Sequence, residues 1–276
     1  MQAKTMKNSL LHVVFLIISF VWIYPFLWMV STGFKTEEEM FAGGLNLIPQ
    51  SFGWENFLRA WQQANFSVYF VNSVVVAVVG VILVIFLNAT CGYAFARSDF
   101  PGKKFFVALI VATMFMPTGY TIIPIFELIK NLGLLNSRWG IILVQSGGAQ
   151  VVFVLLFMSF FAQLPKELEE AAIMDGCSYP RIFFQIMMPL SKPIIATTAI
   201  FHFINSWNDF LNPLVLTIGK PNLRTLGVGM YSFVGEHATD WVGMAAGASI
   251  AIVPIIIVFL CFQRYFMEGI AGAVKG

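Results

Sequence analysis

Apolar runs long enough to cross a bilayer recur about six times along this chain. They lie at about 10–33, 68–96, 105–129, 140–161, 194–218 and 244–262. A helix needs about 20 apolar residues to span the hydrocarbon core. Lipid offers no hydrogen bonds, so only helices and closed barrels cross it, and no series of ten-residue alternating segments is present. The pattern predicts an all-α integral membrane protein. Composition agrees: 58% of the 276 residues are hydrophobic and 11% are charged. A soluble domain carries about 25% charged residues. The mean hydropathy is +0.81.

Several function classes drop out early. A net charge of +2 gives no footprint for nucleic acid. Cys91, Cys177 and Cys261 are far apart and form no CxxC pair, which reads as buried apolar thiols. His12, His202 and His237 lack metal-ligand spacing, so no metal site is expected. No catalytic residue is expected either. "GFKTEEE" at Gly33 has Lys-Thr without the glycines of a phosphate-binding loop, and neither HExxH nor GxSxG occurs.

The first run follows Lys4 and Lys7, as a signal peptide would. It is too long for such a peptide, and no small-x-small site follows, so a retained helix with Pro25 inside is expected. The third run contains Pro117 and Pro124, and the fifth contains Asn205, Asn208 and Asp209. Lys and Arg collect in inner loops. With the N terminus inside, the inner loops hold Arg97, Lys103, Lys104, Lys166, Arg181 and Lys192. Both termini then face the cytoplasm, and the segments 35–66 and 219–243 face outward.

The stretch "ELEEAAIMDGCSYPRIFFQIMMP" at 167–189 interrupts two greasy runs with charge. Pro165 suits a first helical turn. Glu167, Glu169 and Glu170 suit a helix N-terminus, where the dipole favours anions. Ala171 and Ala172 keep the helix slim, and Gly176 can take the left-handed conformation that ends it. Ser178 can cap a second helix with Pro180 early in it, and Pro189 and Pro193 close that helix. The expected product is a cytoplasmic helical hairpin. A slim face flanked by carboxylates can enter a groove on another protein. The other reading is an amphipathic hairpin lying on the membrane, although Glu-rich faces suit anionic lipid poorly.

In the fifth run, Asn205, Asn208 and Asp209 are spaced to share one helix face, beside Trp207. A charge at the centre of a spanning helix costs about 2.5–3.5 kcal/mol on insertion scales. Asp209 therefore faces a cavity, a partner or the interface. Two readings stand: a substrate pathway on which Trp207 stacks against a sugar ring, or polar glue between helices. By physics alone Asp209 or Glu127 could also couple to an ion in a secondary transporter.

The charged hairpin resembles the EAA loop of permease subunits of ATP-binding-cassette importers. That pattern is EAA, three residues, Gly, nine residues, Ile, one residue, Leu, Pro. Here stand Glu170, Ala171, Ala172, Gly176, Ile186 and Pro189, with Met188 in place of Leu. "GYAFARSDFPGKK" at 92–104, "NLGLLNSRWGIIL" at 131–143, "NSWNDFLNPLVL" at 205–216 and "QRYFMEGIAGAVKG" at 263–276 resemble the carbohydrate-uptake, maltose-permease-like branch.

The resemblance implies a six-helix type I importer domain over 1–276, with a core at about 68–266 and a coupling loop at about 164–193. Glu170, Ala171, Ala172, Asp175, Gly176, Ile186 and Pro189 would couple to the ATPase. Asn205, Trp207, Asn208 and Asp209 would line the pathway. Implied partners are a second permease, two ATPase subunits, an external solute-binding protein, a sugar and membrane lipid. ATP and magnesium would sit on the ATPase subunits, with no cofactor on this chain. The implied location is the cytoplasmic membrane of a bacterium or archaeon.

Overall fold

The computed structural model describes residues 2–63, 65–115, 121–147, 150–235 and 239–274. Pro117, His237, Lys275 and Gly276 lie outside them. In chain order the helices are α1 (Gln2–Thr32), α2 (Glu37–Ala42), α3 (Glu55–Gln63), α4 (Phe66–Arg97), α5 (Lys103–Ala112), α6 (Ile122–Asn131) and α7 (Arg138–Ser146). There follow α8 (Val151–Gln163), α9 (Glu167–Met174), α10 (Tyr179–Leu190), α11 (Lys192–Asn208), α12 (Leu211–Leu216), α13 (Leu226–Gly229) and α14 (Trp241–Val274). Among the described residues the only extended pairing is one bridge, Val234 to Thr239. The protein is all-α.

The chain divides into two compact units. One is Met1–Ser67 with Gly229–Val253, the other Val68–Val228 with Pro254–Gly276.

In the first unit α1 is mainly apolar on all sides from Leu11 onward, and Pro25 sits inside it without ending it. After α1 the Phe34 ring meets Phe52, Trp54 and Phe57 at 5.8, 5.0 and 4.7 Å. Lys35 is buried, and its ammonium donates to the Asn46 carbonyl. Thr36 caps α2 by accepting from the Glu39 amide. On α3, Arg59 pairs with Asp240 at 3.0 Å. Asp240 in turn accepts the Gly243 amide at 2.8 Å and so caps the start of α14.

In the second unit α4 and α8 approach closely. A Cβ on Gly92 would lie 2.6 Å from the Cβ of Phe157, so only glycine fits there. Around that approach Ala89, Phe157, Phe161, Ala172, Ile182, Phe183 and Met187 form one buried cluster. A second gathers Val76, Ile129, Ile141, Ile142 and Leu216. In the first cluster α4, α8 and the 167–190 hairpin share one core.

The expected six continuous spans are not all continuous. Among the described residues, three helices are long and apolar enough to cross a membrane: Leu11–Thr32, Phe66–Arg97 and Trp241–Tyr265. The number rises to five if two bent pairs count as one span each. The run at 140–161 holds α7, which ends at Ser146 before an extended Gly147 at φ −73°, ψ 155°, and α8, which starts at Val151. The run at 105–129 holds α5 and α6. The run at 194–218 ends at Asn208 and restarts at Leu211. A straight helix there would drive the Pro213 ring into the carbonyl of residue 209 and leave that carbonyl without a donor. The chain relieves this by extending at Asp209, φ −67°, ψ 122°.

Candidate coupling hairpin and pathway face

The hairpin begins at Glu167, with Lys166 at the N-cap, so Pro165 precedes the helix rather than sitting in its first turn. Gly176 has φ +79°, as its sequence position predicts. Its amide donates to the Ile173 carbonyl and the Cys177 amide to the Ala172 carbonyl, both at 2.9 Å. This is the paired bonding of a Schellman end, which satisfies carbonyls that α9 would otherwise orphan. Ser178 occupies the N-cap of α10 but makes no side-chain capping bond. Pro189 lies within α10 near its end, and a π turn at Phe183–Met187 precedes it. The wider turn accommodates the amide hydrogen that Pro189 lacks.

The turn sorts the hairpin into two faces. Glu170, Ala171, Asp175, Gly176 and Pro189 are exposed. Ala172 and Ile182 are buried, and Ile186 is half-buried against the same cluster. Ile186 and Ala172 therefore hold the hairpin to its own core, while the others face outward. Sequence reasoning passed over the apolar side chains on the outer face: Met174 is 87% exposed and Tyr179 71%. Their signal was an apolar residue beside a charged, Gly-marked turn.

The polar residues of the fifth run are not one helix face. Asn205 and Asn208 are exposed on α11. Asp209 lies beyond the helix end and turns toward the next one. Its carboxylate accepts from Gln145 Nε2 at 2.8 Å and from Asn212 Nδ2 at 2.9 Å. It also accepts the Asn212 amide at 3.3 Å. Trp207 is 3% exposed, stacked on Phe203 at 5.4 Å and edge-on to Phe70 at 5.6 Å. That position corrects the expectation of a ring free to stack on sugar: the indole is core.

A polar chain extends from Asp209 into the run. Ser206 Oγ donates to Gln145 Oε1 at 2.6 Å, and Gln150 Nε2 donates to the Gln145 carbonyl at 2.7 Å. Gln150 also lies 3.3 Å from Nδ1 of His202. Gln150 and Asn205 line a cavity of about 540 Å³, otherwise walled by Met114, Val151, Thr197 and Phe201 among others. Gln145, Gln150 and Ser206 were not singled out from sequence, and His202 was read there only as lacking metal-ligand spacing. Their signal was "QSGGAQ", a polar, glycine-bearing break in an apolar run, and the i, i+4 spacing of His202 and Ser206.

Comparison with known proteins completes the picture. Residues 88–271 match the family described as "Binding-protein-dependent transport system inner membrane component". The chain is 36% identical over 265 residues to the diacetylchitobiose uptake system permease protein NgcG of Streptomyces coelicolor, covering 96% of this chain and 86% of that one. It is 35% identical to the arabinooligosaccharides transport system permease protein AraQ of Halalkalibacterium halodurans, with both chains covered in full. Among solved structures, a bacterial ABC transporter that imports the acidic polysaccharide alginate matches with TM-score 0.81 and 23% identity, covering 96% of this chain and 98% of that one. The ion-coupled alternative finds no support among these relatives. With the exposed hairpin and the full-length relatives together, the chain belongs to the family of inner-membrane permease components of binding-protein-dependent ABC transport systems.

Proposed function

We propose that this chain is one permease subunit of an ATP-driven importer for a sugar or oligosaccharide. The carrying observation is the two-faced hairpin: Glu170, Ala171 and Gly176 stand exposed at a turn whose other face is built into the α4–α8 core. The full-length likeness to permeases of diacetylchitobiose and arabino-oligosaccharide systems supports the substrate class.

In this reading the hairpin faces the cytoplasm and seats in an ATPase subunit, where Glu170 meets a basic residue. Glu170, Ala171, Asp175 and Gly176 make that contact, and Ala172 and Ile186 back it. A second permease completes the pathway, two ATPase subunits bind ATP and magnesium, and an external binding protein delivers the sugar. The chain itself holds no cofactor. Both termini are cytoplasmic in a bacterial or archaeal membrane. ATP closes the ATPase pair, the hairpins move with it, and the pathway alternates between outward and inward access. Asn205 on the cavity wall is its candidate sugar contact.

The test is reconstitution of the complex in proteoliposomes with its binding protein outside and radiolabelled oligosaccharides of graded length. Uptake should require internal ATP and survive collapse of the proton and sodium gradients. Uptake that proceeds without ATPase subunits and dies with a gradient would overturn the reading.

A further inference from the structure

We infer that Arg97 is a positioning residue of the transport cycle, locking the coupling hairpin to the end of α4. Arg97 is the last residue of α4, and its side chain is 6% exposed. Its Nε lies 3.3 Å from Oε1 of Glu169 in α9. Its Nη2 donates to the Leu164 carbonyl at 2.7 Å, on the segment that enters the hairpin. One guanidinium therefore grips the hairpin at two points. Tyr93, one turn earlier on α4, lies close enough to the same carboxylate to feel its charge. The Tyr93 ring is wedged between Phe161 of α8 and Phe183 of α10, at 5.5 and 5.3 Å.

The pair's chemistry suits positioning better than stabilisation. The Arg97–Glu169 contact is close but not aligned as a hydrogen bond, so charge attraction holds it. A largely buried ion pair adds little net stability over apolar residues of the same volume; its role here is to hold one geometry. The apolar face of the hairpin is already buried in the core by Ala172, Ile182, Phe183 and Met187. Such contacts resist separation more than sliding. The ion pair and the carbonyl contact resist sliding.

Two adjacent glutamates thereby take opposite tasks. Successive helical residues point about 100° apart, as 3.6 residues per turn require. Glu169 turns inward to Arg97, and Glu170 remains exposed for a partner. A push on the outer face then reaches α4, which is not the hairpin's neighbour in sequence. The inference rests on the proposed reading that an ATPase subunit seats on that face.

The test uses the whole complex, with Cys91, Cys177 and Cys261 replaced by Ala and spin labels at Ser98 and Gln185. Both label sites are exposed. Their separation is measured by pulsed dipolar spectroscopy, nucleotide-free and trapped with magnesium, ATP and vanadate. With the pair intact, the two distance distributions should coincide. Glu169→Gln keeps shape and removes charge; its trapped distribution should be at least twofold broader, with basal ATP hydrolysis within twofold of the unaltered complex. The exchanged variant, Arg97→Glu with Glu169→Arg, restores the charge pair but gives up the bond to the Leu164 carbonyl, so it should return the distribution part of the way to narrow. A merely structural pair would change thermal stability alike in both nucleotide states and would not broaden one of them. The inference is overturned if Glu169→Gln stays narrow, if the exchange is no better than the single change, or if the intact pair already shifts on trapping. Failure of any ATPase subunit to copurify with the unaltered chain would instead overturn the importer reading, before any variant is made.

Discussion

At Gly176 the backbone carries the requirement and the surroundings carry none. The residue has φ +79°, and a Cβ built there would meet nothing within 4 Å. Only conformational strain then opposes substitution, about 1–3 kcal/mol for an ill-suited residue. Asn tolerates the left-handed region, whereas β-branched Val does not. Gly176→Val is expected to misaim the hairpin and abolish ATP-driven uptake with the protein still in the membrane, while Gly176→Asn keeps most uptake. Equal uptake by the two variants would mean that the turn does not depend on φ. Trp207 and Asn205, two residues apart, should also respond differently. Trp207 is packed between Phe203 and Phe70, so Trp207→Ala should lower yield and melting temperature; such truncations cost about 3–5 kcal/mol in well-packed cores. Asn205 lies on the cavity wall, and Asn205→Ala should reduce uptake of the transported sugar with yield unchanged. A melting temperature unmoved by Trp207→Ala would contradict the packed position of the indole.

Among the elements, α4 and α8 meet through a glycine. At Gly92 a methyl would come within 2.6 Å of Phe157 Cβ and 2.9 Å of the Met158 amide nitrogen. Backbone does not give way as a flexible side-chain tip does, so the helices must separate. Gly92→Ala is expected to cost about 1–3 kcal/mol as overpacking, read as a lower melting temperature of the purified complex. The separation would also loosen the Phe157 and Phe161 cluster on which Ala172 of the hairpin rests. Weaker coupling of hydrolysis to uptake should accompany the lost stability. An unchanged melting temperature would show that the helices can part at no cost. The same scale explains the broken runs. Pro213 stops α11 from continuing, and the released Asp209 then bonds Gln145 and the start of α12. A proline thus turns a candidate pathway carboxylate into a joint between helices.

For the whole molecule, the outer face of the hairpin is where charge should govern assembly. Glu170 is exposed and is not engaged as Glu169 is with Arg97. Glu170→Lys should therefore leave the chain folded in the membrane but repel a basic docking site. Detergent-solubilised complex should lose most of its copurifying ATPase, and uptake should fall with it. Rim charges are screened by salt, so the loss should be largest at low ionic strength. Wild-type retention of the ATPase by the Lys variant would remove Glu170 from the contact.

Sequence alone determined the membrane class, the all-helical build and the hairpin with its glycine turn. Each depends on local information. Apolar length sets whether a helix can cross lipid, and a left-handed position beside an acidic first turn is written within about ten residues. Spacing alone could not say which side of an element meets its neighbours. That question separated Glu169 from Glu170, placed Ala172 and Ile186 inward, and buried Trp207 among rings from α4 and α11. Nor could spacing join Arg97 to Glu169, or Asp209 to Gln145, across more than sixty residues of chain. Such partners are chosen by packing, because a buried polar group must find its complement wherever the fold brings one near.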